Sequence, residues 1–401
     1  MMKKILAAII LCSNIALAQN DSSSKIHIGF VYPLSTNGQW AQRYSNDASF
    51  HVLGGVSANE NAFCFSGISN LIVHKANGFL FAGVVNHIGD DARGMQFAGA
   101  SNIILGKAEG IQFAGFNNIS KSFRGCQAAG FSNISKGAVS GMQIAGFSNL
   151  STDTVHGCQV AGFSNISDEA QCQISGFSNI SRNAEGLQVA GFSNVSQNAR
   201  GLQLAGFSNI AKDVSGVQVA GFINVARKVR GAQIAGFINI ADSCEYPIGI
   251  INIIRNGDKS IGASIDETGT GILSFRSGSK KLYGILGVGY NLAEPKLQYG
   301  MEAGIGARFP FNLLFRFNVE ATVLTLSDFH NGAFMKSSFR FFPSMRIARN
   351  LEVFGGPTFS FTNTPAHLAE KFDTPYVWSR YSNGTFYGMN IGAIGGIQVH
   401  F

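Results

Sequence analysis

The polar residues with the best spacing for chemistry lie in the segment IDETGTGILSFRSG, where Asp266 and Glu267 precede Arg276. A hairpin that turned at Thr268-Gly269-Thr270 would bring carboxylate and guanidinium groups together. Two carboxyl groups could serve as the acid and base of a glycosidase. Adjacent strand residues point to opposite faces, however, which separates the two carboxylates. The pattern therefore favours a structural ion pair among Asp266, Glu267 and Arg276 inside a barrel, with a surface carbohydrate hydrolase as the alternative.

The remaining titratable residues form no catalytic or metal-binding pattern. The eight histidines never occur as HxxH, HExxH or HxH, so the usual pairs of zinc ligands are missing. Neither a GxSxG nor a GxxxxGK[ST] motif is present. The net charge of +7 is spread along the chain without a basic stripe. The sequence predicts a non-enzymatic protein with no catalytic residues, metal, cofactor or nucleic-acid partner.

One phrase recurs from Ala62 to about Ile254 with a period close to fifteen residues. Its clearest copies begin at Gly186, Gly201, Gly216 and Gly231, as in GLQLAGFSNIAKDVS. Counted from that glycine, Gln holds position three, Ala five, Gly six, Phe seven and Asn nine, and positions two, four and ten are apolar. Recurrent glycine and β-branched residues disfavour helix. The period indicates a β repeat architecture over residues 62–257.

A parallel β-solenoid is the favoured architecture for this region. Each copy would be one coil, with identical positions stacked about 4.8 Å apart. The Ala-Gly pair would form a corner, and the apolar side chains before and after it would both point inward. Stacking would produce ladders of identical residues. The ladder residues are Phe163, Phe177, Phe192, Phe207, Phe222 and Phe237, with Asn165, Asn179, Asn194, Asn209, Asn224 and Asn239.

A large up-and-down transmembrane barrel is the alternative. Each copy would then be a membrane strand of about ten residues with a turn. The alternation of Val217, Val219 and Ile223 with Gln218 and Ala220 suits such a strand. Antiparallel neighbours would not bring equivalent positions together, which counts against it.

Two cysteines distinguish these architectures. Cys158 and Cys172 hold position two of consecutive copies. In a solenoid they would stack within the Cα range of a disulfide, whereas in a barrel they would lie roughly 25 to 30 Å apart. The solenoid therefore allows a disulfide between them.

The ends of the chain point to export and to a second β domain. Residues 1–18 combine Lys3 and Lys4, an apolar stretch and the site Ala16-Leu17-Ala18, which is typical of a secretory signal peptide. Residues 19–61 are expected to be strands that cap the repeats. Residues 258–401 contain eight strand candidates, enough to close a small outer-membrane-type barrel. A soluble eight-stranded sandwich is the alternative.

Composition supports a membrane location for this all-β chain. Charged residues make up only 13% and phenylalanine occurs 34 times. With PLSTNG at 33–38, the GxQxAGFxN repeats and the segment DETGTGILSFRSGSKKLYGILGVGYN, the chain resembles the bacterial surface repeat-containing protein family. The resemblance implies an exported cell-surface protein of no established activity and supplies no site residues.

The expected function is that of a non-enzymatic outer-membrane or cell-surface protein for display, adhesion or ligand contact. Its partners would be outer-membrane lipid and an extracellular protein or glycan. The large barrel would instead act as a pore or transporter, and the hydrolase is a third possibility.

Overall fold

The computed structural model describes residues 22–293, 297–312, 314–327, 329, 333–369 and 375–401. The predicted signal peptide lies outside these residues. The chain forms a parallel β-solenoid of about 14 turns, with about 15 residues per coil, and a closed eight-stranded antiparallel barrel. The solenoid prediction is confirmed, and the large barrel proposed for the repeats is wrong. Two compact units meet in sequence at Asp168 and Glu169, so the second unit holds the later coils and the barrel.

The first unit consists of coils built from paired short strands. Parallel pairing begins with the first strand, which precedes the first recognisable copy of the sequence repeat. A 3-10 turn covers Gly38–Arg43. The strands are β1 (Ser22–Val31), β2 (Leu34–Ser35), β3 (Tyr44–Ser57), β4 (Asn59–Ser66), β5 (Ser69–Ile72), β6 (Ala76–Ala82), β7 (Val85–Ile88), β8 (Ala92–Ala98), β9 (Ser101–Ile104), β10 (Lys107–Ala114), β11 (Asn117–Ser120), β12 (Ser122–Ala129), β13 (Ser132–Ser135), β14 (Val139–Ala145), β15 (Ser148–Ser151), β16 (Val155–Ala161) and β17 (Ser164–Ser175), which ends in the second unit.

Identical repeat positions lie next to each other in successive coils. In the pairing of β14 with β16, Gln143 is opposite Gln159 and Ala145 is opposite Ala161. The corner of each coil falls at the Gly-Phe step between its two strands, so Phe147 separates β14 from β15. The pairing register is the same from coil to coil because each residue lies next to the equivalent residue of the preceding coil.

The direction of the side chains differs from the expectation. Ile144 and Phe147, which flank the corner, are exposed, whereas Gln143, Ala145 and Asn149 are buried. The expectation that the apolar residues on both sides of the corner point inward is wrong. The buried amides hydrogen-bond to their own copies, as in the 2.8 Å bond from Gln143 Nε2 to Gln127 Oε1. Because these bonds satisfy the amides, a narrow interior can hold them together with small alanines.

The second unit continues the coils and adds the barrel. The later coil strands are β18 (Ser178–Ala190), β19 (Ser193–Ala205), β20 (Ser208–Ile210), β21 (Asp213–Ala220), β22 (Ile223–Val225), β23 (Lys228–Ala235), β24 (Ile238–Ala241), β25 (Ser243–Ile248) and β26 (Ile251–Ile254). The barrel region contains β27 (Asp258–Asp266), β28 (Thr270–Gly278), β29 (Leu282–Asn291), β30 (Tyr299–Pro310), β31 (Phe315–Ser327), β32 (Ala333–Arg346), β33 (Leu351–Pro365), helix α1 (Ala366–Ala369), β34 (Tyr376–Ser382) and β35 (Thr385–His400).

The barrel closes between its first and last strands. Strand β27 pairs with β28 on one side and with β35 on the other, where Ser260 is opposite His400. Strand β34 pairs with the first part of β35, in a hairpin that turns at Asn383 and Gly384. The closed sheet confirms the small barrel, and the soluble sandwich is wrong.

Within the described residues, no helix is long and apolar enough to span a membrane.

Candidate functional site

Charged side chains lie in the lumen of the barrel together with buried apolar clusters. Arg276 of β28 donates to Glu320 of β31 with a distance of 2.8 Å between Nε and Oε1. The Tyr283 hydroxyl donates to the same carboxylate at 2.9 Å. Arg340 of β32 pairs with Glu302 and lies 3.6 Å from Glu320. These five side chains are almost fully buried. They form one network that links strands across the lumen.

A second cluster holds the two carboxylates singled out in the sequence. Lys336 of β32 pairs with Asp266, and its Nζ lies 3.0 Å from Glu267 Oε1. Arg276 contacts neither carboxylate, because it lies opposite Ser260 near the other end of the β27–β28 hairpin. Glu267 follows the last residue of β27, so strand alternation does not separate it from Asp266. The structure therefore brings Asp266 and Glu267 together on Lys336 and joins Arg276 to Glu320 instead.

This arrangement stabilises charge and offers no open acid and base pair. Glu267 also accepts hydrogen bonds from Thr358 and Ser360 at 3.2 and 3.4 Å. Both carboxylates are thus engaged by neighbouring lumen side chains. No set of three His, Cys, Asp or Glu residues in the described ranges is arranged to hold a metal ion.

The outer wall of the barrel is apolar. Alternate residues of each strand face away from the lumen, and these include large exposed hydrophobic side chains on all eight strands of the closed sheet. Examples are Ile261, Leu273, Val288, Met301 and Phe339. The barrel thus has an apolar exterior and an interior that holds both charged networks and buried apolar clusters.

The last coil contacts this outer wall at one rim. Tyr283 points into the lumen, so its neighbour Gly284 faces outward. A Cβ at Gly284 would lie 2.2 Å from the carbonyl oxygen of Gly249 and 2.3 Å from that of Ile250. Asn252 donates its backbone N–H to Ser277 Oγ at 3.1 Å. Small and polar outward residues therefore mark the place where the solenoid packs on the barrel.

Comparison with known proteins leaves the family unassigned. No family model matches the chain, and no curated protein matches it. Among solved structures, the crystal structure of Neisserial surface protein A matches with 8% sequence identity and a TM-score of 0.22. The match covers 36% of this chain and 95% of that one.

The predicted asparagine ladder lies inside the coils. In the second unit the side chains of Asn179, Asn194, Asn209, Asn224 and Asn239 are fully buried. Each donates from Nδ2 to the Oδ1 of the next at 2.9 to 3.0 Å, ending with a 2.8 Å bond to Asn252. In the first unit Asn149 donates to Asn165 in the same way. The ladder therefore ends on the asparagine that contacts the barrel.

The predicted phenylalanine ladder lies on the surface. Phe177, Phe192, Phe207, Phe222 and Phe237 stack with centroid distances of 5.0 to 5.2 Å and interplanar angles of 1 to 14°. Each ring is 40 to 42% exposed. In the first unit Phe147 and Phe163 stack in the same manner. A row of stacked rings thus forms an apolar border of the coils.

The two cysteines considered for a disulfide lie in different units. Cys158 belongs to β16 of the first unit and Cys172 to β17 in the second. Both are half-buried. Their pairing stays a prediction, which mass spectrometry of non-reduced peptides would check.

The first coils contain a buried polar cluster that the sequence does not indicate. His27 Nδ1 lies 3.3 Å from His51 Nε2. Asn46 Nδ2 bridges His27, at 3.4 Å, and Glu60 Oε1, at 3.1 Å, and the Ser49 hydroxyl donates to Glu60 at 2.7 Å. No repeated motif could have revealed the cluster, because its members lie before the first legible copy.

Burial decides the protonation of this cluster. Burial raises the pKa of Glu60 to about 7, although hydrogen bonds from Ser49 and Asn46 oppose the rise. Burial also lowers the pKa of His27, and burial together with the nearby His27 lowers that of His51 to about 4. Glu60 is therefore protonated in mildly acidic solution and gains its charge near pH 7.

The Glu60 pKa predicts a loss of stability as pH rises. The pKa of Glu60 is higher in the folded protein than in the unfolded chain. Protonated Glu60 therefore makes its full contribution to the free energy of unfolding below about pH 4.5, and this contribution is lost as pH rises through about 7. Glu60→Gln, which mimics the protonated carboxyl group, should remove a penalty of about 3 kcal/mol at pH 8. An infrared titration of the buried carboxyl band should show a midpoint near pH 7.

The two histidines provide the control for this prediction. The lowered pKa values of the two histidines have the opposite effect on stability. Their contribution to the free energy of unfolding is lost as pH falls below about 6.5. His51→Gln should therefore leave the infrared band in place and change stability only in acid. If the band is unchanged in Glu60→Gln, its origin lies elsewhere and the assignment fails.

Proposed function

We propose that the protein is a non-enzymatic outer-membrane protein, in which the barrel is a lipid-embedded anchor and the solenoid is the element that contacts partners. The observation that carries the proposal is the apolar exterior of the barrel around a lumen that holds buried ion pairs. Its exterior positions, such as Leu273 and Phe339, are apolar, and its lumen holds Arg276, Glu320 and Arg340.

The apolar exterior of the barrel would be unfavourable in water. An exposed apolar surface that runs around a whole barrel greatly exceeds the patches found on soluble monomers. In a bilayer the same surface is favourable, and the alternation of apolar and polar residues matches membrane strands. The lumen network removes the remaining charges from contact with lipid.

The solenoid is the part suited to binding. Its coils repeat the same exposed side chains many times, which gives a long surface of uniform chemistry. A protein or glycan ligand would be recognised by these repeated outward residues. Such contact would serve display on the outer face of the cell or adhesion.

The connections of the barrel favour contact on the periplasmic side instead. The rim that meets the solenoid carries the barrel ends and the short connections 279–281, 311–314 and 347–350. The opposite rim carries the long connection 366–384, which includes α1 and β34. Outer-membrane barrels have short periplasmic turns and longer extracellular loops. Display on the outer face would require the opposite orientation.

Protease accessibility in cells tests both the anchor and its orientation. One variant carries a protease site inserted between Asn383 and Gly384, in the exposed turn of the β34–β35 hairpin, and a matched variant carries it after Lys212 on an exposed bend of the solenoid. The proposal expects both proteins in the outer-membrane fraction. It expects cleavage of the first variant on intact cells and of the second only after permeabilisation. Cleavage of the second alone on intact cells supports outer display, and recovery in the soluble fraction overturns the anchor.

The filled lumen argues against a pore. Lys336, Arg340 and Glu320 project from neighbouring strands and are almost fully buried. An eight-stranded barrel has an interior just wide enough for such side chains. The protein reconstituted in planar bilayers is therefore expected to give no channel conductance. Steady conductance would instead support a function as a pore.

A further inference from the structure

The later coils have edges of opposite character. The stacked rings Phe177, Phe192, Phe207, Phe222 and Phe237 form one edge, here called the phenylalanine edge.

The residues beside that edge are apolar as well. Leu202 and Leu204 on one side and Ile210 on the other are exposed. The apolar surface is thus a row of stacked rings with an apolar strip on each side.

The other edge of the same coils is charged. Arg200 pairs with Glu185 at 3.0 Å and Arg227 pairs with Asp213 at 2.7 Å, and all four side chains are exposed. Segregation of apolar and charged residues to opposite sides is the pattern of elements that lie in a membrane interface.

The phenylalanine edge begins at the outer wall of the barrel. Ile238 and Ile251 are paired in adjacent coils. Phe237 directly precedes the first of them, and Ile250 directly precedes the second. Ile250 therefore holds the corner position in the last coil. Its carbonyl oxygen packs against the outward-facing Gly284. Further along β29, the outward residues Leu286 and Val288 belong to the apolar wall.

We infer that the phenylalanine edge of the later coils lies in the surface of the bilayer leaflet beside the barrel, with lipid as its partner. The inference rests on the proposed anchoring of the barrel, since the corner of the last coil meets the wall that this anchoring places in lipid. The charged edge would face water and lipid headgroups. The barrel and the solenoid would then be held to the membrane by two separate apolar surfaces.

Lipid quenching of single tryptophans tests the inference with the full mature chain. The two native tryptophans are replaced by phenylalanine, and one indole is introduced by Phe207→Trp, Lys212→Trp or Phe339→Trp. These positions report the phenylalanine edge, the charged edge and the barrel wall. The proteins are reconstituted in vesicles of phosphatidylethanolamine and phosphatidylglycerol with brominated acyl chains. Phe222→Trp provides a second probe of the edge if Phe207→Trp does not fold.

The expected result is that the indoles at 207 and 339 lose most of their fluorescence and the indole at 212 does not. Bromines near the headgroups should quench position 207 more strongly than deep ones. Quenching at 339 without quenching at 207 overturns the inference and leaves the anchor intact. A blue-shifted but unquenched indole at 207 would show that a second copy or another protein covers the edge. Equal quenching at 207 and 212 also overturns it, and no quenching at 339 refutes the anchor itself.

Discussion

Gly201→Ala is expected to lower the free energy of unfolding of the later coils by more than about 4 kcal/mol. Gly201 has a φ of +114°, and an added Cβ would lie 2.2 Å from the carbonyl oxygen of Gly186 in the neighbouring coil. That oxygen belongs to backbone, so the overlap cannot be relieved by a side-chain rotation. Hydrogen exchange of the amides in β18 and β19 measures the loss.

Gly38→Ala is the matched control for this substitution. Gly38 also has a positive φ, of 59°, but no atom lies within 4 Å of the added Cβ. The control should show only the backbone cost, about 1 kcal/mol. Equal effects at the two positions would mean that the coils do not stack as closely as described.

Glu320→Leu is expected to destabilise the barrel by about 3 to 5 kcal/mol, the cost of leaving a buried charge without its partner. Glu320 accepts from Arg276 and Tyr283 and faces Arg340. Its removal leaves guanidinium groups in a lumen that is closed to water. Denaturant unfolding of the protein in lipid vesicles, followed by the loss of barrel structure, measures the change.

A double variant and a surface variant separate burial from charge. Glu320→Met combined with Arg276→Met should cost less than the sum of the two single changes, because both charges leave together. Glu185→Gln breaks only the exposed pair with Arg200 and should cost less than about 1 kcal/mol. If Glu320→Leu costs no more than Glu185→Gln, water reaches the network and the lumen is open.

The sequence was sufficient to predict the coils, because in-register stacking rewards repetition of the same residue at the same place. Asn209, for example, needs an asparagine on each side to complete its hydrogen bonds. The strands of the barrel could be predicted from alternation and turns. Both signals are local in the chain, which is why single-sequence reasoning could detect them.

The direction of the side chains could not be predicted in the same way. Alternation separates two faces but does not say which is inside. In the coils, Gln218 and Asn224 are buried because they bond to their own copies, and Phe222 is left outside. Hydrophobicity alone predicts the opposite direction, with the apolar residues of the corner inside the coil.

The partners in the ion pairs also cannot be predicted from the sequence. Arg276 and Glu320 are 44 residues apart, and Asp266 and Lys336 are 70 apart. Barrel closure and strand stagger bring such residues together, and neither can be read from a segment such as IDETGTGILSFRSG. The buried contact between His27 and His51 similarly depends on the parallel pairing of β1 with β3.

The effect of Leu273→Arg in lipid vesicles tests the membrane anchor most directly. Leu273 lies in the middle of β28, is 54% exposed and is flanked by the outward residues Ala263 and Val288 of the adjacent strands. If lipid surrounds it, arginine should cost about 2 to 4 kcal/mol of unfolding free energy, and the conservative Leu273→Met should cost little. If both variants unfold like the parent protein, water surrounds the barrel wall, and the chain is not anchored in the membrane by its barrel.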